Sequence, residues 1–222
     1  MAIKNIEDYF SNIPPDLGEI FEDNEELWGV LKDLPYFMKK FVAQKSGNKD
    51  AVVKGVKIGE VYIDHDVYIG RGTVIEHGAM IKGPTYIGEN CEIRSGAYIR
   101  GNVYVASGSM VGHGAEIKNS ILMGKAHAGH LNYLGDSIIG AGVNLGAGSI
   151  LANLRFDEKE IKIAGKNTGL KKIGAILGDG SQLGCNTVLN PGVIFKKNIW
   201  YSGKPLKSGI YSRKKLEETQ NS

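Results

Sequence analysis

From Ile63 onward the chain places an apolar residue at every sixth position: Ile63, Ile69, Ile75, Ile81, Ile87, Ile93, Ile99, Val105, Val111, Ile117 and Met123, with no polar exception. Several are followed by glycine, as in Ile69-Gly70, Ile87-Gly88 and Val111-Gly112. A helix repeats its apolar positions at three and four, and plain alternating strands do not hold a phase of six over so long a stretch. The pattern predicts a mainly β fold, a parallel β-helix in which each hexad is one short strand plus a corner. The recurring aliphatic side chain points inward, and Gly and Asn take corners that need positive φ or close backbone approach. Three hexads make one triangular coil, so residues eighteen apart lie above one another.

The phase breaks twice. Between Met123 and Leu134 the segment Lys125-Ala126-His127-Ala128-Gly129-His130 replaces a regular hexad, which predicts a loop over 124–133. The repeat resumes at Ile139-Gly140, Leu145-Gly146 and Leu151, then gives way to a polar, lysine-rich stretch predicting a second loop over 154–172. Leu177-Gly178, Leu183-Gly184 and Leu189 are the last clear hexads, and the β-helix is expected over 51–204. A regular solenoid has no structural need of polar insertions, so its breaks are the places to look for function.

Residues 1–50 follow another rhythm. Leu27, Leu31, Leu34, Met38 and Phe41 recur at steps of four and three, the period of a helix, and Pro35 inside the run predicts a kink or a split. Upstream, Ile6, Phe10, Leu17 and Ile20 are more loosely spaced and are interrupted by Pro14-Pro15. Short helices here are expected to cap the open first coil, whose unpaired backbone edge invites aggregation. The acidic group Glu22, Asp23, Glu25 and Glu26 reads as a solvated helix face. Residues 205–222, with Arg213-Lys214-Lys215, read as a closing tail with a frayed end.

Composition narrows the classes. The 31 glycines lack a Gly-X-Y period, and 42% hydrophobic with 23% charged residues excludes collagen and wholesale disorder. No apolar run approaches the ~18 residues of a membrane span, and the acidic N-terminal stretch has no signal-peptide core. A net charge of +3 is too small to argue for nucleic acid. Cys91 and Cys185 stand far apart and form neither a disulfide framework nor a metal knuckle. The expectation is a soluble cytoplasmic protein without nucleic-acid or membrane partners.

The stretch from His130 to Asn153, HLNYLGDSIIGAGVNLGAGSILAN, resembles the acetyltransferase domain of bifunctional UDP-N-acetylglucosamine pyrophosphorylase/glucosamine-1-phosphate N-acetyltransferases. Thr168-Gly169-Leu170-Lys171-Lys172-Ile173-Gly174-Ala175, Leu177-Gly178-Asp179 and Asn190-Pro191-Gly192 resemble its archaeal-type members. The resemblance covers residues 56–200. It implies a left-handed β-helix, a homotrimer, acetyl-CoA as co-substrate and a hexosamine 1-phosphate as acceptor. Some fifty residues precede the coils, too few for the nucleotidyltransferase half, so pyrophosphorylase activity is not expected and a separate nucleotidyltransferase becomes a possible partner.

Amine acetylation explains the residue types. The amino sugar arrives largely as an ammonium ion, and a histidine near neutral pKa is the side chain best suited to remove the proton. By resemblance His130 is that base. The tetrahedral intermediate needs an oxyanion donor, and a backbone N–H and Asn144 are both open. Arg100 and Lys118 are eighteen residues apart, which predicts one corner on adjacent coils and a two-pronged phosphate clamp. Arg94-Ser95-Gly96 looks more like the family's Arg-Pro-Gly turn but falls one corner away, so stacking favours Arg100.

The resemblance further assigns Tyr133 to phosphate, Asn144 and Asn153 to the sugar, and Lys159 and Lys162 to a substrate loop. Ala147 and Cys185 match positions along acetyl-CoA, and Ser212-Arg213 aligns with the terminal segment that clasps it. No metal is assigned. Two other readings stay open: a non-catalytic trimeric scaffold or sugar-nucleotide sensor, and a zinc enzyme of the γ-carbonic-anhydrase type drawing on His113, His127 and His130.

Overall fold

The computed structural model describes residues 5–48 and 50–220. Among them, three parallel sheets of nine, eight and seven strands form the faces of a triangular prism of about nine turns. The chain visits sheet 1, sheet 2 and sheet 3 in order within each coil. In the early coils Val67 pairs with Thr85 in sheet 1, Val74 with Glu92 in sheet 2 and Met80 with Tyr98 in sheet 3, each a step of eighteen. The inward columns run Ile69, Ile87, Val105 in sheet 1, Ile75, Ile93, Val111 in sheet 2 and Ile81, Ile99, Ile117 in sheet 3, all fully buried in one apolar core. Corner asparagines adopt the expected left-handed conformation, with φ of 53° at Asn90, 52° at Asn102 and 57° at Asn198.

The coil then shortens. Val103 pairs with Ser120, Met110 with His127 and Glu116 with Tyr133, each a step of seventeen. One corner has lost a residue, so Leu122 points inward where the step of six predicts Met123. Met123 turns outward into a second apolar cluster. The same shift removes the loop predicted over 124–133. His127–His130 is a regular strand paired on Met110–His113, with Ala128 filling the core position. Shifted back by one residue, the segment is in phase.

The second break is a true excursion. Asn144 pairs with Gln182, a step of 38, and the extra residues leave the coil after Asn153 and return at Ile173, whose N–H donates to the Asn153 carbonyl at 3.0 Å. They carry a short antiparallel hairpin, Lys162–Ile163 with Lys166–Asn167.

The N-terminal residues do not cap the first coil. Helices α1 (Gly18–Glu22) and α2 (Leu27–Ser46) lie along the outer face of sheet 1. The cause is in the strands of that sheet, whose middle residues point outward and are apolar: Tyr86, Tyr104, Ile121, Ile138, Ile176 and Ile194. Tyr68, Tyr86 and Tyr104 stack in a ladder with centroids 5.3 and 4.9 Å apart, and Phe41 meets Tyr86 at 5.2 Å. The segment before α1 reaches the late coils, where the Asp179 N–H donates to the Tyr9 carbonyl at 2.9 Å and Lys196 pairs with Asp8 at 2.6 Å. Val56, Ile58 and Tyr62 of the first coil stay exposed. Helix α2 runs unbroken through Pro35. Proline lacks the N–H that would bond the Leu31 carbonyl, and the Asn119 side-chain amide supplies a donor there at 3.3 Å.

At the other end Gly209–Tyr211 adds a ninth strand to sheet 1, and α3 (Arg213–Gln220) brings Leu216 against Leu206 and Tyr211 in the main core. Among the described residues no helix is long and apolar enough to cross a membrane.

Candidate functional site

The corner between sheets 2 and 3 stacks the same positions coil upon coil. The Leu131 N–H donates to the His113 carbonyl at 2.8 Å, the Gly148 N–H to that of His130 at 3.0 Å, and the Asn186 N–H to that of Ala147 at 2.8 Å. His130 is therefore followed along this corner by Ala147 and then by Cys185, one and two coils on. The His130 side chain is exposed. Its backbone is fixed by the buried Asn132, which accepts from the His130 N–H at 3.0 Å and donates to the Gly146 carbonyl at 2.9 Å. His113 is the register partner of His130, and its Nδ1 lies 2.8 Å from the Ser95 carbonyl.

The outer face of sheet 3 adjoins that corner. Strand alternation points Glu116 and Tyr133 outward in one row and Lys118 outward beside Gly135 in the next. The Arg100 N–H donates to the Ile117 carbonyl at 2.8 Å, which sets Arg100 one coil before Lys118 on that second row. A side chain at Gly135 would put its Cβ 2.5 Å from Asn153 Nδ2 and 2.7 Å from the Tyr133 hydroxyl. Glycine there keeps open the space on which Tyr133, Lys118 and Asn153 converge.

Both cations have carboxylate partners. Arg100 meets Glu116 at 2.7 Å with both side chains more than a third exposed, whereas Lys118 meets Asp136 at 3.2 Å with side chains only 23% and 8% exposed. Asp136 also accepts from Asn153 at 2.5 Å and from Asn119 at 3.0 Å. The Tyr133 hydroxyl lies 3.5 Å from Asn153 Oδ1. Burial pushes the Tyr133 phenol above its ordinary pKa, with Glu116 and Asp136 adding to the effect.

The remaining candidates lie elsewhere. Arg94 follows the strand Glu92–Ile93 of sheet 2 and is held by Glu92 at 2.8 Å, so Arg100 is the arginine that shares a face with Lys118. Asn144 lies on the outer face of sheet 2, in register with His127 and not with His130. Lys159 and Lys162 belong to the excursion, where they line a shallow cavity with Arg155, Asp157, Glu158, Glu160 and Lys171, apart from the Tyr133 group. There Arg155 holds the Asp157 carboxyl well below the usual carboxylate range. Among the described residues no three His, Cys, Asp or Glu side chains are grouped to hold a metal ion, so His113, His127 and His130 form no such cluster.

Sequence reasoning passed over Glu116, Asn119 and Asp136. Asp136 stands eighteen residues past Lys118, but the coil here is seventeen, so Gly135 is the register partner of Lys118 and the spacing carries no sound signal for Asp136. No spacing marks Asn119, whose role depends on a helix eighty-eight residues away in sequence.

The fold and the site together define a left-handed parallel β-helix of the hexapeptide-repeat class with a histidine at one corner and a polar cluster on the adjoining face. The chain belongs to the family described as the GMPPB C-terminal domain, which matches residues 81–214. It is 45% identical over 192 residues, 82% of this chain and 43% of the relative, to the bifunctional protein GlmU of Methanococcus maripaludis. It is also 45% identical over 78 residues, 33% of this chain and 20% of the relative, to the bifunctional sugar-1-phosphate nucleotidylyltransferase/acetyltransferase of Sulfurisphaera tokodaii. The chain thus spans less than half the length of these relatives. A crystal structure of a hexapeptide transferase family protein from Anaplasma phagocytophilum aligns with a TM-score of 0.25 and 17% identity, over 78% of this chain and 82% of that one.

Proposed function

We propose that this chain transfers an acetyl group from acetyl-CoA to the amine of a hexosamine 1-phosphate. The observation that carries the reading is the convergence of Arg100, Lys118, Tyr133 and Asn153 on one face of sheet 3, beside the corner that exposes His130. His130 takes a proton from the substrate ammonium, the freed nitrogen attacks the thioester carbon, and the tetrahedral intermediate collapses with departure of the CoA thiolate, which receives a proton. The oxyanion is met by a corner N–H or by Asn144 from the sheet 2 side.

The carboxylate partners are compatible with phosphate binding. A guanidinium has five donors and an ammonium three, so Arg100 and Lys118 keep donors free while Glu116 and Asp136 hold them in place. Lys159 and Lys162, which line a separate cavity on the excursion, are left out of this clamp. Ala147 and Cys185 lie along the corner beyond His130, where successive coils are ~4.8 Å apart, and their column is a path for the pantetheine arm. We take the assembly to be a homotrimer joined across this face, a reading supported by Met80, Ile150 and Tyr62, exposed apolar side chains in the same row of sheet 3 as Tyr133.

The rival reading is a non-catalytic scaffold or sensor, favoured by the in-chain pairing of both site cations. Release of free thiol from acetyl-CoA, followed with a chromogenic disulfide, separates the two. Release dependent on a hexosamine 1-phosphate, lowered about 10²–10⁴-fold in a folded His130→Ala variant, is the expected outcome. No release with glucosamine or galactosamine 1-phosphate from the folded protein would sink the acetyltransferase reading and favour the scaffold.

A further inference from the structure

Asn119 occupies the turn after the strand Glu116–Lys118, with φ of 45°. That conformation sends its amide toward two acceptors from different parts of the chain. Nδ2 donates to the Leu31 carbonyl of α2 at 3.3 Å and to Asp136 Oδ1 at 3.0 Å, which uses both of its protons. Its Oδ1 is buried and has no hydrogen-bond partner among the described residues. The orientation is nevertheless fixed, because a flipped amide would set its oxygen against a carbonyl and a carboxylate. The carbonyl is available because residue 35 is proline, so no N–H within the helix competes for Leu31.

Beyond Asn119 the contacts continue into the face described above. Asp136 Oδ2 accepts from Lys118 at 3.2 Å and from Asn153 at 2.5 Å. With the Asn153 amide nitrogen committed to Asp136, its oxygen faces the Tyr133 hydroxyl at 3.5 Å. The side chain of Asp136 is almost wholly buried and its two oxygens together receive three donors, so it acts as a fixed hub and not as a base.

We infer that Asn119 is a positioning residue for the sugar-phosphate site: it braces Asp136 against α2, so that Lys118, Asn153 and Tyr133 are aimed by the docked helix. The inference rests on the proposed acetyltransferase reading. Asn119 touches no substrate itself. Its loss leaves Asp136 with donors on one oxygen only, free to rotate, and the aim of Lys118 and Asn153 loosens with it.

The test uses two variants, Asn119→Ala and Asn119→Ala/Pro35→Ala, with steady-state kinetics and melting temperatures. In Asn119→Ala the KM for the hexosamine 1-phosphate rises about tenfold, as befits one lost hydrogen bond to a charged group. The KM for acetyl-CoA, whose column lies at the other corner, stays unchanged. Asn119→Ala also bares the Leu31 carbonyl and lowers the melting temperature, so a second substitution separates the two effects. Pro35→Ala restores an N–H to that carbonyl within the helix. The double variant Asn119→Ala/Pro35→Ala is therefore expected to regain melting temperature while keeping the raised sugar-phosphate KM. Recovery of both in the double variant would show that Asn119 matters only by satisfying the Leu31 carbonyl and not through Asp136, and would overturn the inference. An unchanged KM in Asn119→Ala would overturn it equally. A wild type that turns over no hexosamine 1-phosphate fails at an earlier point and removes the acetyltransferase reading as well.

Discussion

At the scale of single residues, two ion pairs on neighbouring rows of sheet 3 have opposite weights. Arg100 and Glu116 meet at 2.7 Å but are both substantially in solvent, where water screens the pair and the long side chains lose entropy in holding it. Asp136 is nearly enclosed, and Lys118, Asn119 and Asn153 all depend on it. Arg100→Ala should therefore cost under about 1 kcal/mol of stability, while Asp136→Ala, which removes a nearly enclosed carboxylate from three partly buried donors, should cost about 2 kcal/mol. Urea denaturation of the two variants checks this, and equal midpoints would mean that the Asp136 cluster contributes nothing to stability. The difference between the pairs also sets what was legible beforehand. The spacing of Arg100 and Lys118 was readable because like positions stack every coil, and the geometry puts both on one face. Burial and partner choice at Asp136 were not readable, since they depend on which side of a turn the next coil falls after it has shortened by one residue.

At the scale of elements, the outer face of sheet 1 decides where the N-terminal helices go. Its strands read Thr85-Tyr86-Ile87, Val103-Tyr104-Val105 and Ser120-Ile121-Leu122, with an apolar middle residue that a solvent-facing strand has no reason to carry. The hexad count attends only to the inward position and so passes over this second column, which is why a cap over the first coil was expected and a strap along the flank was found. The strap buries phenols. Burial, with Asp16 adding to it, pushes Tyr86 up to about 12, and burial pushes Tyr104 higher still. In the unfolded chain both ionise near ~10. A group whose pKa is raised on folding leaves stability intact below its unfolded value and withdraws it as the pH climbs toward its folded value. The urea midpoint is thus expected to hold up to about pH 10 and to fall between about pH 10 and 12. Tyr86→Phe should flatten that fall, and a variant as alkali-sensitive as the wild type would show that the ladder does not govern it.

At the scale of the whole molecule, the β-helix is a stack in which each coil leans on its neighbours, so its stability is a sum of local interfaces. The ends and the straps then determine how far a local defect spreads. The repeat made the coils legible from the sequence almost throughout, because an inward column tolerates few residue types. The helices were legible as helices but not in their placement, because an amphipathic period names a buried face without naming what covers it. At the late end the core turns aromatic, with Phe195 against Tyr201 at 5.9 Å and against Tyr211 at 6.3 Å, and Leu216 of α3 closes it. Leu216→Asp would put a charge on that closure. If the coils are energetically local, amide hydrogen exchange should quicken in Val193–Phe195 and Gly209–Tyr211 while Thr85–Ile87 and Met110–His113 keep their protection. The N-terminal strap opposes a strictly local outcome, since Asp8 and Tyr9 grip Lys196, Lys197 and Asp179 while α2 grips the early coils. The two effects separate in one comparison: the same substitution combined with Lys196→Ala, which cuts the ion pair between strap and late coils, should confine the quickened exchange more tightly to the last strands. Equal quickening along the whole stack in both variants would show instead that the coils unfold as a single unit.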